Sequence, residues 1–141
     1  MNSYVIDASV AVKWFIPDAA VETDVDRALQ LLARAQRDEV RFLQPPHWVS
    51  EVAAVLVRLA PRTVGSSIEA LMALASVRTA NDAGHYQRAS SLSLKLDHHL
   101  FDTLYHAVAL AEKATLITAD RKYYDKAKRM GSILMLEEFE G

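Results

Sequence analysis

Residues 3–14 read SYVIDASVAVKW. Tyr4, Val5 and Ile6 form a short apolar run without polar alternation, and it ends abruptly on Asp7. The next residues, Ala8 to Phe15, carry a helical pattern that Pro17 closes. A strand buried on both faces that leads straight into a helix has this pattern. The same junction recurs at residues 115–121, where the strand-like TLIT is followed by Ala119, Asp120 and a helix from Arg121.

Working outward, short strands and helices alternate along the chain. An amphipathic helix is expected from Val21 to about Gln36, with Val21, Val25, Ala28, Leu29 and Leu32 on one face. Arg41–Gln44 is a strand stopped by Pro45 and Pro46. Helices follow at His47–Leu59, ended by Pro61, and at Thr63–Ser76. Val77–Thr79 is a short strand, Ala83–Leu96 and Leu100–Lys113 are helices, and Thr115–Thr118 is a strand. Arg121–Met130 is a helix and Ile133–Leu136 the last strand. Short apolar strands alternating with helices predict a mostly parallel sheet covered on both faces. Such a sheet places its site beyond the carboxyl ends of its strands.

The 141 residues suit a single domain, 1–141, with a real core. Without cysteine there are no disulfides, thiolate metal sites or cysteine nucleophiles, as expected in a reducing cytoplasm. The first apolar run breaks at Asp7 and lacks a basic leader, so no signal peptide is expected. No window approaches the roughly 20 apolar residues of a membrane span. Sixteen Lys+Arg against 18 Asp+Glu leave a net charge of −2, which argues against a broad nucleic-acid groove. A local basic cluster exists at Arg121, Lys122, Lys126, Lys128 and Arg129, although a solvated helix face is its simplest reading.

Four acids stand out. Asp7 and Asp120 lie at strand ends, where either can also cap the following helix. Between Trp48 and Ala60 the only polar side chains are Ser50, Glu51 and Arg58, so Glu51 sits on an otherwise apolar face. Asp102 heads a helix that is apolar on nearly every side to Ala111. Four carboxylates converging on one pocket require raised pKa values or a cation. An all-oxygen set favours Mg2+ or Mn2+ over zinc, and the chemistry it suits is phosphodiester hydrolysis. The histidines offer no H-E-x-x-H pair, and neither the P-loop nor the dinucleotide glycine pattern occurs. His98 and His99 read as a solvated loop, and His106 as a satisfied structural residue.

Together, VIDASVAVKWF, PPHWVSEVAAVL, FDTLYHAVALA and LITADRKYY resemble the PIN-domain ribonucleases, and among them the VapC-type toxins of bacterial toxin–antitoxin pairs. The resemblance spans nearly the whole chain, in order and spacing. It implies a three-layer α/β/α sandwich and an acidic quartet, Asp7, Glu51, Asp102 and Asp120, that binds Mg2+ or Mn2+ and is catalytic. It also implies Ser9 and Thr118 as hydroxyls that fix carboxylates or metal-bound water, and Lys13 as a phosphate contact, with a snorkelling lysine as its competitor. His106 and the two histidines of SLKLDHHL depart from the family pattern. RNA as substrate, a cognate antitoxin and a homodimer follow from the same resemblance. Apolar surface for those contacts is expected on Val10–Ile16, the 21–36 helix and part of 47–76. The alternative is a non-catalytic doubly wound module, either phospho-receiver-like or an inactive PIN fold.

Overall fold

The computed structural model describes residues 1–16 and 22–140. Five strands form one parallel sheet: β1 (Asn2–Ile6), β2 (Val40–Gln44), β3 (Val77–Thr79), β4 (Thr115–Thr118) and β5 (Ile133–Met135). Their order is β3-β2-β1-β4-β5. The helices α1 (Ala8–Ala11), α2 (Val25–Gln36), α3 (Trp48–Leu59), α4 (Val64–Met72), α5 (Ala83–Leu96), α6 (Leu100–Ala111) and α7 (Arg121–Ala127) flank it in an α/β/α arrangement. The consecutive buried residues Val5 and Ile6, and Leu116 and Ile117, show why these strands lack alternation: both faces are covered.

The order places β1 at the centre, with the chain running outward through β2 and β3 on one side and β4 and β5 on the other. The crevice between the carboxyl ends of β1 and β4 is therefore the point where strand order reverses, where doubly wound sheets bind their ligands. Register fixes what meets there. Ile6 pairs with Ile117, and the Asp7 amide donates to the Ile117 carbonyl at 3.0 Å, so Asp7 lies beside Thr118.

The other side of β1 is held differently. Its ladder with β2 is registered from Asn2 with Val40 to Tyr4 with Phe42. Beyond it, the buried Gln44 side chain accepts from the Ile6 amide at 2.7 Å and donates to the Ile6 carbonyl at 2.9 Å. A side-chain amide thus completes the backbone pairing of the residue before Asp7, which no sequence pattern indicated.

Several boundaries differ from expectation. The segment after Asp7 is α-helical only to Ala11 and then tightens to a 3-10 turn at Val12–Trp14. Pro17 and Val21, expected to end one helix and begin the next, lie outside the described residues; α2 begins at Val25. α4 ends at Met72 rather than Ser76, because the chain must turn to place Ser76, whose carbonyl receives the Phe42 amide, at the start of β3. α7 likewise ends at Ala127 and passes through a 3-10 turn, Lys128–Met130, to Gly131 at φ 79°, a left-handed position suited to glycine. Val10, Ala11, Val12, Trp14 and Ile16 are core residues, which corrects their expected place on a partner surface. The exposed large apolar side chains include Leu29 on α2, Val57 and Leu59 on α3, and Met72 on α4.

Candidate active site

Two chain segments, 7–9 and 118–123, meet at the β1–β4 crevice through a hydroxyl relay. Asp7 caps α1 with Oδ2, which accepts from the Ser9 amide at 3.2 Å, from the Ser9 hydroxyl and from the Thr118 hydroxyl at 3.4 Å. The Ser9 oxygen in turn accepts from the Ala119 amide at 3.0 Å, and the Thr118 oxygen from the Asp120 amide at 3.1 Å. Asp120 caps α7, its Oδ1 accepting from the Tyr123 amide at 3.1 Å. The two hydroxyl residues therefore tie the two strand-end acids into one rigid unit.

The helical acids, Glu51 on α3 and Asp102 on α6, lie near enough to Asp7 for their charges to act on it. Glu51 Oε1 accepts from the buried Tyr105 hydroxyl at 2.7 Å and lies 3.3 Å from His47 Nε2, which also contacts the Phe101 carbonyl at 2.8 Å. Asp102 Oδ2 lies 2.7 Å from His98 Nε2 and 3.5 Å from His99 Nδ1. The contacts share a pattern. In each of Asp7, Glu51, Asp102 and Asp120 they engage one carboxylate oxygen. The second oxygen has no protein partner among the described residues. All four side chains belong to half-buried residues, so those second oxygens stay within reach of solvent or ligand.

The crevice is electrostatically tense. Burial, opposed by the Ser9 hydrogen bond and reinforced by the charges of Asp102 and Glu51, raises the Asp7 carboxyl from 3.8 to about 6. Burial also pushes Glu51 upward, but hydrogen bonds from His47 and Tyr105 outweigh it and hold that carboxyl below its usual range. Burial, then the charges of Asp7 and Glu51, drive the Tyr105 hydroxyl far upward, so it remains a donor. Burial and the charges of Asp102 and Asp7 raise Tyr123 as well. Asp7, Glu51 and Asp102 thus share one field, and hydroxyls join Asp120 to Asp7. A divalent cation fits this donor set: hard oxygen ligands, a surplus of negative charge and a free oxygen on each acid.

Lys13 is not free for a ligand. Its side chain is buried, donating to Glu22 Oε1 at 3.1 Å and to the Thr23 carbonyl at 2.7 Å. His106 is the expected structural residue: its Nε2 lies 2.8 Å from the Gly131 carbonyl and its Nδ1 2.8 Å from the Tyr123 hydroxyl. His98 corrects the expectation of a solvated loop. Its side chain is only 7% exposed, packed against Tyr123 and bonded to Asp102 and Lys126, whereas His99 is 73% exposed as expected. Among the described residues, His98, His99 and Asp102 form the one group of three whose candidate metal-ligating atoms lie within 4.8 Å of one another.

The family model described as PIN domain matches residues 4–129. No curated protein matches the sequence. Solved structures similar to this chain include a toxin–antitoxin complex from Klebsiella pneumoniae (16% identity, 96% of this chain and 99% of that one, TM-score 0.68). Another is VapC20 from Mycobacterium tuberculosis, described as a Sarcin-Ricin loop cleaving toxin (16%, 86% and 93%, 0.66). A third is VapBC2 from Rickettsia felis bound to a DNA fragment from its promoter (17%, 94% and 96%, 0.63). At these identities the likeness is one of fold.

Proposed function

The chain belongs to the PIN-domain family, and on that premise we propose that it is a metal-dependent endoribonuclease acting as the toxin of a toxin–antitoxin pair. The observation that carries the reading is the engagement of a single oxygen in each of the four acids, with the other left without a protein partner among the described residues. Asp7, Glu51, Asp102 and Asp120 would hold Mg2+ or Mn2+, which when bound supplies positive charge to the substrate phosphate and acidifies a water.

The chain's own groups do the positioning. Ser9 and Thr118 lock Asp7 against rotation, and the Tyr123 amide holds the Asp120 carboxylate while Thr118 accepts from the Asp120 backbone amide. Tyr105 and His47 keep Glu51 ionised although it is half-buried. His98 fixes Asp102. Lys13, committed to Glu22, serves the fold in this reading rather than the phosphate.

A phospho-receiver-like module, the other reading of acids at strand ends, is set aside by membership of the PIN family. Two of the similar structures are described as a toxin–antitoxin complex and as VapBC2. The exposed Leu29, Val57, Leu59 and Met72 provide apolar surface for a cognate antitoxin or for a homodimer. No helix among the described residues is long and apolar enough to cross a membrane, consistent with action in the cytoplasm.

The test is RNA cleavage by the purified chain with Mg2+ or Mn2+ against the same reaction in EDTA. Cleavage should require the cation and fall at least about 100-fold in Asp7→Asn, more than loss of an outer-shell group usually costs. Full cleavage by Asp7→Asn, or cleavage undiminished in EDTA, would overturn the assignment.

A further inference from the structure

Beside Asp102 lies an open groove of about 520 Å³, bounded by the end of α5, the turn Asp97–His99 and α7. Its charged lining is Asp97, Lys122 and Lys126, and His98 and His99 line it as well. The nine-residue basic cluster is thereby divided. Arg121 pairs with Glu137 and lies over the Tyr124 ring; Lys128 lies over the same ring and 3.9 Å from Asp125. Lys122 and Lys126, one helical turn apart, face the groove instead. Among the described residues Lys122 has no hydrogen bond or ion pair. Lys126 donates to the Asp97 carbonyl at 2.9 Å and to His98 Nδ1 at 3.2 Å.

That second bond sets the tautomer of His98. A lysine ammonium can only donate, so Nδ1 accepts and Nε2 carries the hydrogen that it donates to Asp102 Oδ2 at 2.7 Å. With a proton on that nitrogen, the His98–His99–Asp102 cluster is a hydrogen-bonded support rather than a second metal site. A continuous chain, Lys126 to His98 to Asp102, runs from the groove into the acidic crevice. An RNA strand whose scissile phosphate lies at the four acids must carry its next phosphate away from that negative field. The groove adjoins Asp102 through His98 and carries two lysines without an ion pair among the described residues, and its volume is that of a ligand pocket.

We propose that this groove is the subsite for the phosphodiester that flanks the scissile bond of the RNA. Lys122 and Lys126 contact its oxygens, and the Lys126–His98 bond holds Asp102 in register with the strand. The proposal rests on the ribonuclease reading, and its test separates the two. The probe is a fluorescein-labelled, mixed-sequence single-stranded RNA of about 12 nucleotides, bound in EDTA so that nothing is cut and read by anisotropy across a salt series.

Lys122→Ala/Lys126→Ala should bind about tenfold more weakly at low salt, with a salt slope shallower by about 0.7 for each phosphate lost. Lys122→Ala alone, which removes no internal contact, should lose part of that affinity. Arg58→Ala/Arg62→Ala, the same charge change on exposed residues of α3 and the turn after it, should stay within about twofold. Equal loss in both double variants, an unchanged slope in the lysine variant, or no RNA binding by the wild-type chain would overturn the groove. If the wild-type chain cuts no RNA but the lysine variants still lose affinity, the ribonuclease reading fails and the groove is an RNA-binding surface without a scissile bond beside it. Cleavage with unaltered binding gives the reverse.

Discussion

Replacing Asp7 by asparagine should stabilise the protein while abolishing its activity. The carboxyl titrates at about 6 in the folded chain against 3.8 when solvated, because burial and the charges of Asp102 and Glu51 disfavour its ionised form. The folded state therefore holds this proton more tightly than the unfolded chain. Below about pH 4 both states are protonated and the difference vanishes. Between about pH 4 and 6 the penalty grows as pH rises, and above that window it is fully present. At roughly 1.4 kcal/mol per pH unit it reaches about 2–3 kcal/mol near pH 8. Melting entropies of about 2.1 cal/mol/K per residue convert this to roughly 7–10 °C in Tm. Asparagine keeps an oxygen for the Ser9 amide, so the α1 cap survives. Thermal melts followed by circular dichroism in EDTA, with wild type and Asp7→Asn compared at each pH, measure the effect. The variant should match the wild type near pH 4 and exceed it by that margin near pH 8. A variant that melts at or below the wild type near pH 8, or a gap that does not close towards pH 4, would refute the electrostatic account.

Three further outcomes follow from the same site. Gln44→Met leaves the Ile6 amide and carbonyl unpaired in the core; at about 2–4 kcal/mol for the two groups, Tm should drop by roughly 7–14 °C in a melt. Tyr105→Phe removes the donor to Glu51 and leaves the ring, so stability should fall by about 1.5–3 kcal/mol in denaturant titration, and cleavage should fall more steeply than wild type at mildly acidic pH, because Glu51 is then more readily protonated. Mn2+ at about 100 times its Kd should raise wild-type stability by about 2.7 kcal/mol, seen as a higher Tm, and Asp7→Asn should lose most of that gain.

Three elements, β3, β4 and α5, coincide with their expected spans. Helix ends were less legible, since α4 and α7 are cut short by the demands of the next strand, against their local propensity. Asp7 and Asp120 were visible because each ends a strand and begins a helix, and Glu51 and Asp102 because each interrupts an apolar helix. Their partners were not. Tyr105 reaches Glu51 across 54 residues, and Gln44 reaches Ile6 across 38. His98 looked like half of a solvated pair because its burial is made by Tyr123 and Lys126, more than twenty positions further on. Lys13 looked available because its pairing with Glu22 depends on how the chain returns after α1.

The choice between helix cap and metal ligand for Asp7 dissolves at the level of single oxygens. Capping α1 and receiving the two hydroxyls uses only Oδ2. Those bonds oppose the rise in its pKa, so the cap helps keep the group ionisable as well as oriented. Asp120 divides its labour in the same way between α7 and the crevice. A carboxylate held by one oxygen loses little further rotamer freedom when the other takes a ligand, so the entropy of ordering is met on folding rather than on binding. The folded chain bears the charge of Asp7, disfavoured by burial and further by the charges of Asp102 and Glu51, as a standing destabilisation. A cation that relieves it gains affinity from the strain that removal of Asp7 would release as stability.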